Sequence, residues 1–264
     1  MVTARPTHPM PDLVMPDVAV YALRLGDDAL VLSQRLGGWI AGAPQLEEDV
    51  ALANIALDLL GQARALLTYA GEVEGAGRSE DDLAFLRDER NFLNVTLAEL
   101  PNGDFAMTMA RQLCMSTWQL ALHQRLVDSA DEMLAAVAGK AVKEVSYHRD
   151  HATQWVLRLG DGTAQSHERM QAALEKVWPH VPGLFVTDDL EQRLVASGVA
   201  VDVSTLAQEW DDYVDQVLSR ATLTRPVGAP RLPGGGRGGL HTESFGYLLA
   251  EMQHLHRSHP GASW

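Results

Sequence analysis

The sequence predicts an all-α fold, a four-helix bundle with additional helices toward the C-terminus. Three observations carry that reading. Apolar residues recur at helical spacing along nearly the whole chain. Strand-like alternation and hairpin signals between alternating runs are almost absent. Four periodic stretches of about 20–28 residues fall into two hairpin-like pairs, as in an antiparallel bundle.

The first stretch runs from about Val18 to Ile40 and ends near GGWIAGAP, where Pro44 opens a connection. The second begins at QLEEDV, where Glu47, Glu48 and Asp49 suit the positive end of a helix dipole, and continues to about Ala70, with Gly71 as its expected stop. The loop GEVEGAGRSEDD and a shorter helical piece, LAFLRDERNFLN, lead to the turn LPNGDF. The third long helix covers about Phe105 to Val127, and the fourth about Glu132 to Leu159, closed by GDG. A fifth, SHERMQAALEKVW, is expected to stop at Pro179 and Pro182. A short helix, DDLEQRLVAS, and a longer one, STLAQEWDDYVDQVLSRATL, come next. TRPVGAPRLPGGGRGGLHTESFG is the one long irregular stretch, and a helix over about Glu243 to Arg257 ends the chain. No internal linker divides it, so residues 18–264 are expected to form a single domain. Residues 1–17, with Pro6, Pro9, Pro11 and Pro16 and no apolar signal-peptide segment, read as a flexible tail.

With 264 residues and 46% hydrophobic content, the chain has apolar material for a sizeable core. Its 21 Lys and Arg against 35 Asp and Glu give a net charge of −14, a field that repels phosphate backbones and speaks against nucleic acid as a partner. Cys114 is the only cysteine, which leaves no disulfide framework and no cysteine-based zinc site; a reducing, cytoplasmic compartment is expected. No uninterrupted apolar run approaches the roughly 20 residues of a membrane span.

The second helix raises the functional question. In ALANIALDLLGQARAL, Asn54, Asp58 and Gln62 are spaced four apart and line one stripe. Di-iron bundles use such stripes: a Glu from each of two helices and a Glu-x-x-His motif from each of the other two. Anionic oxygens neutralise the metal pair, and imidazoles complete each shell. Against that template, Asp58 is followed at the third and fourth positions by Gly61 and Gln62, without an imidazole. Glu144 has Tyr147 three residues on and His148 four on, while His148 and His151 are themselves three apart. The first helix supplies only Asp27 and Asp28. The third long helix contains no Asp or Glu at all, and its interior polar residues include Arg111 and Gln112. The set reads as a degenerate site, with no metal held. Asp58, Glu144, His148 and one of Arg111 or Gln112, with Asn54 or Gln62, are expected to form a metal-free buried network.

Five segments then carry a resemblance over about Val18 to Trp264: the run YALRLGDDALVLSQRLGGWIAGAPQLEEDVALANIALDLLGQAR, then RDERNF, PNGDFA, KEVSYHRDH and GLHTESFGYLLAEMQHLHRSHPG. Together they resemble the C-subunit family of the ring-1,2-phenylacetyl-CoA epoxidases, multicomponent monooxygenases of phenylacetate degradation. The resemblance implies a ferritin-like structural subunit, itself without metal, that pairs with and stabilises a catalytic A subunit. That A subunit would carry the di-iron centre and bind the CoA thioester. Electrons from NADPH would arrive through a reductase subunit with FAD and an iron–sulfur centre, and a small B subunit would join the assembly. It further implies that two helix-end segments lie near the substrate side, making Glu47, Glu48, Asp49, Val50, Gln192, Arg193 and Leu194 candidate substrate contacts. From the residues alone, a stand-alone di-iron oxygenase and a homodimeric helical binding module remain alternatives, the former opposed by the acid-free third helix.

Other features are plainer. GAPRLPGGGRGG lacks the Lys-Ser/Thr of a P-loop and follows no strand, so it reads as a connection whose Arg231 and Arg237 would meet an acidic partner surface. His241, His254, His256 and His259 read as surface or interface residues, and WQLALHQ as core packing. No Gly-x-Ser-x-Gly occurs, and Cys114 has no features of an activated nucleophile.

Overall fold

The computed structural model describes residues 15–227 and 235–262. Helices α1 (Asp17–Gly37) and α2 (Leu46–Glu74) form the first long hairpin, and α3 (Glu80–Phe85) follows as a short helix. Helices α4 (Phe105–Leu126) and α5 (Glu132–Gly160) form the second hairpin. The additional helices are α6 (Ala164–Val177), α7 (Asp189–Ala196), α8 (Ala207–Arg220) and α9 (Glu243–Ser258). No strand occurs among the described residues. The all-α, ferritin-like class expected from the sequence is the one adopted.

Side-chain caps set several of the starts. Asp104 accepts from the Met107 amide to open α4, and Asp131 accepts from Leu134 to open α5. Ser79 with Asp82 and Thr163 with Ser166 form reciprocal boxes at α3 and α6. Such a cap contributes about 1 kcal/mol.

Several boundaries shift from the sequence expectation, the end of α2 with a clear cause. Helix α2 does not stop at Gly71 but continues to Glu74, where Gly75 closes it with φ 72°. Gly71 is needed for another reason: a Cβ there would lie 2.2 Å from the Arg78 carbonyl oxygen, so only glycine admits the returning chain. Helix α6 ends at Val177, just ahead of Pro179, as the sequence predicts. The chain then runs on as a 3₁₀ segment, Trp178–Phe185, with Pro179 at the start, where a missing N–H costs little, and Pro182 within.

The four long helices are not equivalent. Every residue of α1 from Tyr21 to Ser33 is buried, and so is every residue of α4 from Thr108 to His123. The additional helices account for this. Helix α1 is packed by α2, α7 and α9, whereas α4 is packed by α5, α6 and α8. Trp178 and Phe185 close on Trp210 at 5.8 and 5.7 Å between ring centroids, and the Trp210 indole donates to the Cys114 carbonyl at 3.0 Å. Burial pushes the Cys114 thiol up to about 12, so it stays protonated, in keeping with an inert core cysteine.

Helices α2 and α5 meet along a seam; α3 packs on α2, and α6 and α8 pack on α5, yet each of the two keeps one side exposed. By length and composition alone α2 passes for a membrane span, a test that core helices of globular bundles also meet, and polar residues interrupt its apolar run throughout. Its core face is Leu52, Ile55, Leu59, Ala63 and Leu66, while Leu46, Val50 and Leu57 lie on the opposite face, exposed.

Candidate functional site

The polar stripe lies on the α2–α5 seam, not at the bundle centre. The 3.6-residue period explains the placement: with Ile55, Leu59 and Ala63 turned inward, Asp58 and Gln62 fall on the flank facing α5. The His148 ring Nε2 lies 3.0 Å from Asp58 Oδ2. One turn away, Gln62 donates its amide to Glu144 at 2.9 Å, and Lys140 stands 3.4 Å from the other Glu144 oxygen. At the start of α2, Glu48 Oε2 accepts from the Trp155 indole at 2.7 Å and meets His151 Nε2 at 2.8 Å. The seam is therefore a ladder of three carboxylates, each already engaged by a neutral or cationic partner from α5 or by Gln62. His148 is buried, and that burial holds its pKa below the usual imidazole value against the opposing pull of Asp58.

The network expected from the sequence is thus met in part. Asp58, Glu144, His148 and Gln62 belong to it, but Arg111 and Gln112 do not, and Asn54 is exposed to solvent. Fully buried Arg111 donates to the Leu100 carbonyl and to Asn102 Oδ1 at 2.8 Å, closing the turn before α4. Burial lowers its pKa to about 9, which still leaves it charged at neutral pH. Gln112 Oε1 is buried without a hydrogen-bond partner. Nor is Asp58 enclosed by its leucine neighbours, because Leu57 points outward.

A di-iron centre does not fit these residues. Helix α4 contributes no carboxylate, its buried polar side chains being Thr108, Arg111, Gln112, Ser116, Thr117, Gln119 and His123. Burial holds His123 down to about 4, leaving a neutral imidazole in the core. Among the described residues, no three of His, Cys, Asp and Glu converge as a metal site would require.

The remaining buried charges form a separate knot around α1. Asp27 is bridged by both Nη atoms of Arg87 and also accepts from the Leu93 amide at 2.8 Å. Asp28 accepts from the Val95 amide at 2.7 Å and from Arg237 at 2.8 Å. Arg24 reaches Asp188 at 2.5 Å and Glu191 at 3.0 Å on α7. Arg237 therefore meets an internal acid instead of a partner surface, while Arg231 lies outside the described residues. His241 is likewise no surface residue: it is wedged between Glu99 Oε2 at 2.7 Å and the Phe92 carbonyl at 2.9 Å. His254 and His259 are exposed as expected, and His256 stacks on Phe85. The strap of residues 235–242 thus binds the 91–99 segment onto α1. Gly239, with φ 73°, lets it cross where a Cβ would lie 2.2 Å from the Arg90 carbonyl oxygen.

The candidate substrate contacts separate into two groups. Glu48 is spent on the seam, and Asp49 accepts from the Ala41 amide at 3.1 Å, fixing that residue at φ 63°. Glu47 and Val50 are exposed. On α7, Arg193 clamps Asp17 with two bonds of 2.7 and 3.0 Å, Leu194 is buried and Gln192 is exposed. The first group follows the end of α1 and the second packs on its start, so about 30 Å of helix separates them. They form no single pocket.

Sequence reading missed the Glu48–His151–Trp155 cluster and the arginine knot. Acids set inside a wholly apolar helix, as in LRLGDDALVL, were the available signal for the knot; the arginines that answer them lie far away in the sequence.

A family profile described as "Phenylacetic acid catabolic protein" matches residues 1–264. The chain is also 50% identical over 250 residues to an Escherichia coli (strain K12) protein named as the C subunit of 1,2-phenylacetyl-CoA epoxidase, covering 95% of this chain and 100% of that one. The chain belongs to the phenylacetic acid catabolic protein family.

Proposed function

We propose, with that family membership as premise, that the chain is a non-catalytic subunit of a phenylacetyl-CoA epoxidase in phenylacetate catabolism. In this reading it pairs with and stabilises the A subunit, which carries the di-iron centre. The small B subunit and a reductase bearing FAD and an iron–sulfur centre, fed by NADPH, complete the cytoplasmic assembly. The identity to an epoxidase C subunit over that protein's full length supports the place in the complex.

One observation carries the non-catalytic part: a wholly buried α4 without a carboxylate, beside a seam whose carboxylates are already engaged. Two iron ions need bridging anionic oxygens from the helices around them. Recruiting Asp58 or Glu144 to metal would strand His148 or Gln62 in a buried position, at a cost of about 1–3 kcal/mol for each unsatisfied group. What this chain's residues do instead is hold the helices together without metal, as a bundle template for its partner.

The test is metal analysis of the purified chain after anaerobic incubation with ferrous ions, alongside an epoxidation assay with the A subunit. Substoichiometric iron, with epoxidation depending on this chain's presence, is the expected result. Two irons held per chain, or unchanged activity of the A subunit alone, overturns the reading.

A further inference from the structure

We infer that His241 is a buried imidazolium ion, carrying a proton on each ring nitrogen at neutral pH, and that the second of these protons latches the strap of residues 235–242 to the 91–99 segment. Its loss as pH rises opens that end of the strap while the bundle helices stay packed. The inference concerns this chain alone and is independent of the subunit reading.

Hydrogen-bond partners fix the proton count. The side chains of His241 and Glu99 are both fully buried. His241 Nε2 lies 2.9 Å from the Phe92 carbonyl oxygen, which can only accept, so Nε2 bears a hydrogen. Nδ1 lies 2.7 Å from Glu99 Oε2. That oxygen also accepts from the Asn94 side-chain amide at 2.9 Å, and Glu99 Oε1 accepts from the Thr242 backbone amide. A carboxyl group that takes in donors on both oxygens is held in its anionic form. Nδ1 must then donate as well, and a neutral imidazole has only one N–H to give. Among the described residues no lysine or arginine side chain touches this carboxylate; Arg35 donates instead to the Glu99 backbone carbonyl at 3.0 Å. The imidazolium is therefore its counter-ion.

Position turns the proton into a latch. At one end of the strap Arg237 holds Asp28 and the Leu93 carbonyl through a guanidinium that stays charged. At the other end His241 and the Thr242 amide share Glu99, immediately ahead of α9. Removing one proton from His241 leaves either the Phe92 carbonyl without its donor or Glu99 without its counter-ion, in a place closed to water. The other ionisable groups around the pair come from each element packed on it. Arg35 belongs to α1, Glu89 and Arg90 to the 89–91 turn, Glu243 and Glu251 to α9, and Arg87 lies over the Phe92 ring. His180, from the 3₁₀ segment, also feels the charge of Glu99, but burial holds it below the usual imidazole value. It is thus already neutral at the pH where the latch opens.

The experiment uses the full-length chain with nitrogen-labelled histidine. Long-range nitrogen–proton correlation spectra at pH 7 are expected to show both His241 ring nitrogens protonated, the signals being assigned by their absence in His241→Gln. One bare ring nitrogen at that pH overturns the inference. Hydrogen exchange, corrected for its intrinsic rate, then follows the strap from pH 7 to 10. Protection of residues 239–245 is expected to fall by about tenfold or more, while that of α4 holds. Glu99→Gln tests the coupling, because a neutral amide can donate to Nδ1 and so a single imidazole proton suffices. In that variant Nδ1 is expected to be bare and strap protection flat across the same range. An alkaline loosening of equal size in Glu99→Gln, or its disappearance in His180→Gln, overturns the assignment to His241. If Glu99→Gln does not fold, the wild-type spectrum and exchange series decide alone: two protonated nitrogens with alkaline loosening uphold the latch, and any other pair of results sinks it.

Discussion

Helices α1 and α2 look alike as sequences, each a long apolar run with acidic residues at its middle, yet they solve the same problem differently. Asp27 on α1 is fully buried and held by the guanidinium of Arg87. Asp58 on α2 has a side chain 36% exposed and is met by an imidazole. Where water is excluded from all sides, the fold answers a carboxylate with a bidentate, permanently charged donor, and it takes that donor from a loop. Where water still reaches, a histidine from the neighbouring helix suffices. The difference follows from what wraps each helix: α7, α9 and the 235–242 strap seal α1, and nothing among the described residues seals the outer side of α2.

The largest effect that should separate the two regions is loss of a counter-charge. Arg87→Ala, which strands Asp27, is expected to cost about 3–5 kcal/mol in urea denaturation. Asp58→Asn, at a site water can reach, should cost only about 1 kcal/mol. Equal costs for the two would break the contrast drawn between sealed and open helices. Next in size is Gly71→Ala at the far end of α2, where an added methyl meets the Arg78 carbonyl; about 1–3 kcal/mol is expected. A much smaller loss would show that the 75–79 turn yields easily.

The two regions should also respond to acid with opposite sign. Burial raises Asp28 to about 6 from the ordinary carboxylate value of 3.8, so between these values the folded chain binds a proton that the unfolded chain does not. Its contribution to stability therefore grows as pH falls through that window. His148 is shifted the other way, below 6.5, so the unfolded chain takes up its proton first and stability is lost as pH falls below 6.5. Denaturation midpoints measured from pH 4 to 7 should decline less steeply in His148→Gln than in wild type, and more steeply in Asp28→Asn. The smallest effect is reserved for Lys140→Ala, an exposed pair with Glu144, which should move the isolated chain's stability by no more than about 0.5 kcal/mol.

Much of this architecture is legible in the amino-acid order. The long helices announce themselves because 3.6-residue periodicity is a local property, and caps such as Asp104 and Asp131 stand beside the helices they open. The stripe Asp58–Gln62 and its α5 partners Glu144 and His148 are also readable, since spacing along two helices fixes which residues share a face. Which face is inward is not. Leu57 looks as apolar as Leu59, and only the packing of the whole bundle sends one outward and the other into the core. Arg111, Arg237 and His241 are misplaced by sequence for a related reason. Each answers a group in a distant or irregular segment, and no periodicity links such pairs.

The strap leaves its mark on how the chain reaches its final form. Arg237 and Asp28 are 209 positions apart, and His241 and Glu99 are 142 apart. During synthesis the chain must emerge from the ribosome as far as Arg237 and His241 before these acids receive their counter-ions. The N-terminal hairpin is therefore completed only when the 235–242 strap arrives, and a message truncated before that point should yield a product exposed to cellular proteolysis.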